Sequence, residues 1–136
     1  MPRKAPFDDD KPTNIVITGG AQGIGLELAK LFIERSPKMG VHLFLVDIRA
    51  DLLAELQLDE NKNKVTTIVA DLGNEEDLEK AWIQIISKCN GQVHILVNNA
   101  ARVQGKRFSE MSIADFKQSI SVNLVAYVHL TKLFLS

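Results

Sequence analysis

Apolar residues along this chain alternate between short continuous runs and longer stretches of helical spacing. "NIVIT" (Asn14 to Thr18) is β-rich and stopped by glycine, which predicts a first strand. From Ile24 to about Arg35, the residues Ile24, Leu28, Leu31 and Phe32 recur at helical spacing, and Pro37 and Gly40 close that helix. "VHLFLVD" (Val41 to Asp47) is nearly continuous in apolar residues, as expected of a strand buried on both faces. A short helix is expected from Ala50 to about Leu58, then a third strand over "KVTTIVAD" (Lys64 to Asp71).

Asn74 is placed to cap the next helix, whose first turn holds Glu75, Glu76 and Asp77. An oxygen acceptor and negative charge suit the free amides of a helix start. Leu78, Ala81, Trp82, Ile85 and Ile86 give that helix one apolar face, with Trp82 in the core. "VHILVNN" (Val93 to Asn99) reads as a fourth strand and "ARVQGKRF" as a loop. Ser112 and Asp115 have the spacing of a capping box and open a last helix reaching Leu135. This alternation of buried-type strands and helices calls for an α/β fold, a parallel sheet with helices on both faces and right-handed crossovers.

The totals add limits. The chain has 136 residues and a net charge of −1, so there is no electrostatic case for nucleic acid. Cys89 is the single cysteine, which excludes an internal disulfide and suits a reducing compartment. His42, His94 and His129 show no metal-ligand spacing, so no metal is expected. Residues 1–13 have no apolar run and are expected to form a disordered tail rather than a signal peptide, and a cytoplasmic location is expected.

"TGGAQGIG" (Thr18 to Gly25) carries the candidate chemistry. It lies between a strand and a helix, where free amides and the positive end of the helix dipole favour an anion. Glycines let the backbone approach a pyrophosphate closely, although a tight strand-to-helix turn also uses glycine for purely steric reasons. Asp47 ends the second strand about 20 residues beyond the loop, where a carboxylate can accept bonds from the adenosine ribose. The alternative for Asp47 is a helix cap or loop acid. A carboxylate ~4 Å from a 2′-phosphate would be repelled by about 4 kcal/mol at an effective dielectric of 20, so NAD is expected in preference to NADP. Arg49, two positions on, is expected to be solvated.

These residues resemble the short-chain dehydrogenase/reductase family. "TGGAQGIG" is similar to its T-G-x-x-x-G-I-G, "ADL" (Ala70 to Leu72) to its D-[VL] element, "NNA" (Asn98 to Ala100) to its N-N-A-G, and "VN" (Val122, Asn123) to its helix asparagine. Ala101 stands where the family has glycine. The resemblance implies a Rossmann-like domain over residues 14–136, truncated after the fourth strand and its following helix. It implies cofactor contacts from Thr18, Gly19, Gln22, Gly23, Ile24, Gly25, Asp47, Asp71, Leu72, Asn98, Asn99 and Ala100, with Asn123 catalytic through a proton relay. It implies hydride transfer between NAD and a small apolar alcohol or ketone. "VQGKRF" and "VNLVAYVHLTKLFL" look most like the branch acting on retinol and 17β-hydroxysteroids.

The family's serine and Tyr-x-x-x-Lys have no counterpart in the sequence. Tyr127 and Lys132 stand one residue too far apart, and Tyr127 reads as a packing residue. The chain alone is therefore expected to be inactive. Other readings are a non-catalytic dinucleotide-binding module, a pairing partner of a full-length relative, and a remnant without ligand. Self-association is expected through the fourth-strand edge and the nearly all-apolar last helix.

Overall fold

The computed structural model of the chain describes residues 11–136, so most of the predicted tail lies outside the described residues. Four parallel strands form one sheet: β1 (Thr13–Thr18), β2 (Val41–Asp47), β3 (Lys64–Val69) and β4 (Ile95–Val97), in the order β3-β2-β1-β4. Helices α1 (Gly23–Glu34), α2 (Ala50–Ala54), α3 (Glu75–Lys88), α4 (Ile113–Ile120) and α5 (Ala126–Leu135) complete the chain, with a π-helical turn, Ser121–Val125, joining the last two.

The strand alternation splits the core in two. Ile15, Ile17, Leu43 and Leu45 face Ala29 and Ile33 of α1 and Leu53 of α2. Val16, Phe44 and Val46 face Leu78, Trp82 and Ile85 of α3, with Ala126 and Leu130 of α5. Helices thus cover both faces, as the apolar run of β2 requires, and every residue of β2 is buried. Each large side chain fully buried here contributes roughly 1.5–3 kcal/mol. Trp82 lies in the core as expected.

Four local expectations need correction. First, Ile24 and Leu31 of α1 are 74% and 43% exposed, and the buried stripe is Gly25, Ala29 and Ile33. Small residues let the helix axis come close to the sheet, so proximity selects the face rather than apolarity. Second, α2 stops at Ala54, short of Leu58. Beyond it the Asp59 carboxylate accepts from the Asn61 N–H at 2.9 Å, a local turn that competes with helix.

Third, β4 pairs over only Ile95–Val97. Below it the His94 ring stands in for a backbone acceptor, taking the Asn14 N–H on Nδ1 at 2.8 Å. Fourth, the last helix is interrupted. The capping box holds at its start, where the Ser112 hydroxyl accepts from the Asp115 N–H and the Asp115 carboxylate from the Ser112 N–H. Its π-helical turn contains Asn123, whose side chain is bonded outside the helix. No helix among the described residues is long and apolar enough to cross a membrane.

Candidate functional site

The carboxyl ends of the four strands open into a cleft of about 470 Å³, within the range of small-ligand sites. It sits where the strand order changes direction, with β2 on one side of β1 and β4 on the other. Ligand sites of open α/β sheets lie at such switch points.

Thr18, the last residue of β1, organises the loop. Its hydroxyl accepts from the N–H groups of Asn99 and Ala100, each at 3.0 Å, and donates to the Val97 carbonyl at 3.3 Å. The Gly19 N–H donates to the Val46 carbonyl at 2.7 Å. Gly19 and Gly23 have φ of +66° and +56°, the left-handed region that favours glycine. At Gly25 a Cβ would run into the Gly19 carbonyl oxygen and stand 2.7 Å from Asn99 Nδ2.

Helix α1 then begins with Gln22 as its N-cap and no side-chain cap. The N–H groups of Gly23, Ile24 and Gly25 therefore have no partner among the described residues. That is the donor set of an anion site at a helix start. Gly19, Gln22 and Ile24 line the cleft beside them. Sequence periodicity placed Ile24 in the core; its exposed side chain is part of the cleft.

Across the cleft, Asp47 is 9% exposed. Its Oδ2 accepts from the Ala21 N–H and its Oδ1 from the Arg49 N–H, both at 3.0 Å. Each oxygen keeps a further lone pair, so the group ties the glycine loop to β2 and can still accept from a ligand hydroxyl. Arg49 lines the cleft beside Asp47, with its guanidinium paired to Asp51. Its Nε and Nη2 hold the Asp51 carboxylate at 3.0 and 2.8 Å, and that hydrogen bonding lowers the Asp51 pKa to about 2.

Asp71 lines the cleft at the end of β3, with Oδ1 accepting from the Gly73 N–H at 2.9 Å. Leu72 contributes to the wall and to the core. Asn99 and Ala100 line the opposite side, and Asn99 Nδ2 donates to the carbonyls of Thr18 and Gly19.

Not all of the predicted set faces the cleft. Thr18 and Gly25 are buried within the loop, and Gly23 stands exposed at the helix start, with nothing within 4 Å of an added Cβ. Asn98 turns away, its Nδ2 donating to Thr131 Oγ1 at 3.1 Å, and its buried Oδ1 lacks a partner among the described residues. Asn123 also stands behind the wall. Its Oδ1 accepts from the Arg102 N–H at 2.8 Å and its Nδ2 donates to the Arg102 carbonyl at 3.0 Å.

Sequence reasoning missed Ile48, Arg102, Val103 and Val122 as lining residues. For Val122 the signal was its place beside Asn123. Tyr127 is more than a packing residue, because its hydroxyl donates to the Ala100 carbonyl at 2.7 Å. Burial raises the pKa of this phenol, and of the Cys89 thiol. His129 approaches Glu79 at 3.5 Å and, with Glu75, forms a group whose ligand atoms lie within 4.8 Å of one another. Both carboxylates are exposed and His129 is half-buried.

The short chain dehydrogenase family model matches residues 13–136. Short-chain dehydrogenase/reductase 3 of Bos taurus is 31% identical over 134 residues, 96% of this chain and 43% of its own. The chain spans less than half the length of the curated relatives it matches. Among solved structures, 4-hydroxyisoleucine dehydrogenase complexed with NADH superposes with a TM-score of 0.71 at 30% identity, covering 88% of this chain and 46% of that one. L-sorbose reductase from Gluconobacter frateurii, complexed with NADPH and L-sorbose, gives 0.78 at 26% identity, with coverage of 92% and 47%. The matched family model and the Rossmann-like sheet with its glycine loop agree: this chain belongs to the short-chain dehydrogenase/reductase family of oxidoreductases.

Proposed function

We propose that the cleft binds a nicotinamide dinucleotide, NAD in preference to NADP. In this reading the unpartnered amides of Gly23, Ile24 and Gly25 receive the pyrophosphate and Asp47 accepts from the adenosine ribose hydroxyls. Asp71 and Leu72 border the adenine, and Asn99 and Ala100 form the wall opposite. The observation that carries it is the pairing of that bare helix start with the Asp47 carboxylate across one cleft. Asp47 presents its carboxylate at the position a 2′-phosphate would take, and the Arg49 guanidinium on the same wall is bound to Asp51. The bound cofactor supplies hydride exchange with a small apolar alcohol or ketone, in the whole protein. Asn123 contributes by holding the Arg102 peptide and so the cleft wall, beside its expected part in a proton relay.

A second reading, a non-catalytic dinucleotide-binding module or pairing partner, is favoured by Tyr127. Its hydroxyl is committed to the Ala100 carbonyl rather than presented to a substrate. We also propose that the chain pairs with a second copy through the β4 edge and the outer face of the last helix. Fluorescence titration with NADH and NADPH tests the binding reading, with tighter NADH binding expected. Equal affinity removes the preference, and no binding removes the cofactor assignment. Turnover of NAD with a panel of secondary alcohols separates the enzyme from the module.

A further inference from the structure

The segment after β4 and the last helix are joined by a polar ladder. Asn98 bonds Thr131, Ala100 bonds Tyr127, and Arg102 bonds Asn123. The rungs advance by two residues along the segment and by four, in the opposite sense, along the helix. Two extended residues span ~6.6 Å and four helical residues ~6 Å, so the two registers match.

Asn123 holds Arg102 through both its N–H and its C=O, whereas the middle rung is a single bond from the Tyr127 hydroxyl to a backbone carbonyl. The residues on either side of that peptide, Ala100 and Ala101, both line the cleft. No described peptide bond is cis. In a planar trans peptide, C=O and N–H point in opposite directions. With the Ala100 carbonyl held by Tyr127, the Ala101 N–H is turned away from the helix, and it has no partner among the described residues.

We infer that Tyr127 is a positioning residue: its hydroxyl fixes the Ala100–Ala101 peptide so that the Ala101 N–H is offered to an acceptor oxygen of the dinucleotide. The inference rests on the cofactor reading above. It assigns a task to the one tyrosine of the chain, and it does so through backbone geometry rather than proton transfer.

Tyr127→Phe removes the hydroxyl and keeps the half-buried ring. NADH titration followed by amide resonances tests the assignment. In the unaltered chain, NADH should shift the Ala101 amide and slow its exchange. In Tyr127→Phe that response should vanish and NADH affinity fall about three- to tenfold, while the amides of Ile24 and Gly25 still respond. Thr131→Val breaks the neighbouring rung, which does not end on the cleft, and should leave NADH affinity unchanged. An Ala101 amide indifferent to NADH in the unaltered chain overturns the inference, as does equal affinity in Tyr127→Phe. Either result leaves the cofactor reading standing. Failure of the unaltered chain to bind NADH removes both.

Discussion

Asn99 Nδ2 donates to the carbonyl oxygens of Thr18 and Gly19, at 3.0 and 3.2 Å, so the end of β4 holds the first turn of the glycine loop. Thr18 is the last residue of β1, paired with Val46, and Gly19 is the first residue beyond it. Asn99→Ala removes both donations and releases the loop. Stability should fall by roughly 1–3 kcal/mol, with weaker NADH binding, measured by thermal unfolding and fluorescence titration. Asn99→Asp should be no better, because it presents oxygens to oxygens.

The glycines of the loop are not equivalent. A Cβ on Gly25 meets backbone and the Asn99 side chain, whereas one on Gly23 meets nothing within 4 Å. Gly25→Ala must push α1 away from the loop, an overpacking cost of ~1–3 kcal/mol or more. Gly23→Ala carries only the left-handed backbone penalty of ~1–2 kcal/mol. Urea unfolding should rank the two in that order. NADH binding should be lost in Gly25→Ala and merely weakened in Gly23→Ala.

Asp47 has two tasks that one substitution can separate. Asp47→Asn keeps an oxygen for the Ala21 or Arg49 amide and removes the charge. The ratio of NADP to NAD affinity should rise by roughly tenfold or more, given the ~4 kcal/mol repulsion available at close range. An unchanged ratio in paired titrations would show that Asp47 serves the loop alone.

The last helix leaves Leu124, Val128 and Leu135 exposed at 57, 62 and 57%. Apolar side chains at helical spacing on one exposed face favour pairing with a second copy. Sedimentation velocity should show concentration-dependent association, and Val128→Glu should shift it toward monomer. A monomer at all concentrations in the unaltered chain would remove the pairing proposal.

The residues whose identity alone sets local structure were legible in the sequence. The apolar run of β2 implied burial on both faces, and Asn74 caps α3 as its type and place imply, accepting from the Asp77 N–H at 3.1 Å. Ser112 and Asp115 likewise form their box. Contacts set by approach across the fold were not legible. Periodicity ranks residues by apolarity, so it chose Ile24 over Gly25 for the buried face of α1. The Arg102 peptide reaches Asn123 across 21 positions, and no local pattern marks it. The cleft itself was legible as a motif, but its Arg102–Val103 wall depends on the ladder to the last helix.

His42 makes the fold sensitive to mild acid. It is 5% exposed, its Nε2 lies 2.8 Å from Thr66 Oγ1, and its ring rests on Phe44 with centroids 4.0 Å apart. Burial, with Lys64 and Lys88 nearby, lowers its pKa from 6.5 to about 4. The folded chain therefore holds the ring neutral while the unfolded chain protonates it below pH 6.5. The unfolded state binds the extra proton, so stability is full above pH 6.5 and declines as pH falls toward about 4. The loss across that window is roughly 2–3 kcal/mol. Urea midpoints measured from pH 7 down to pH 4 should show this slope in the unaltered chain and a flatter one in His42→Gln. Parallel slopes in the two would assign the acid sensitivity to other groups and leave His42 a packing residue.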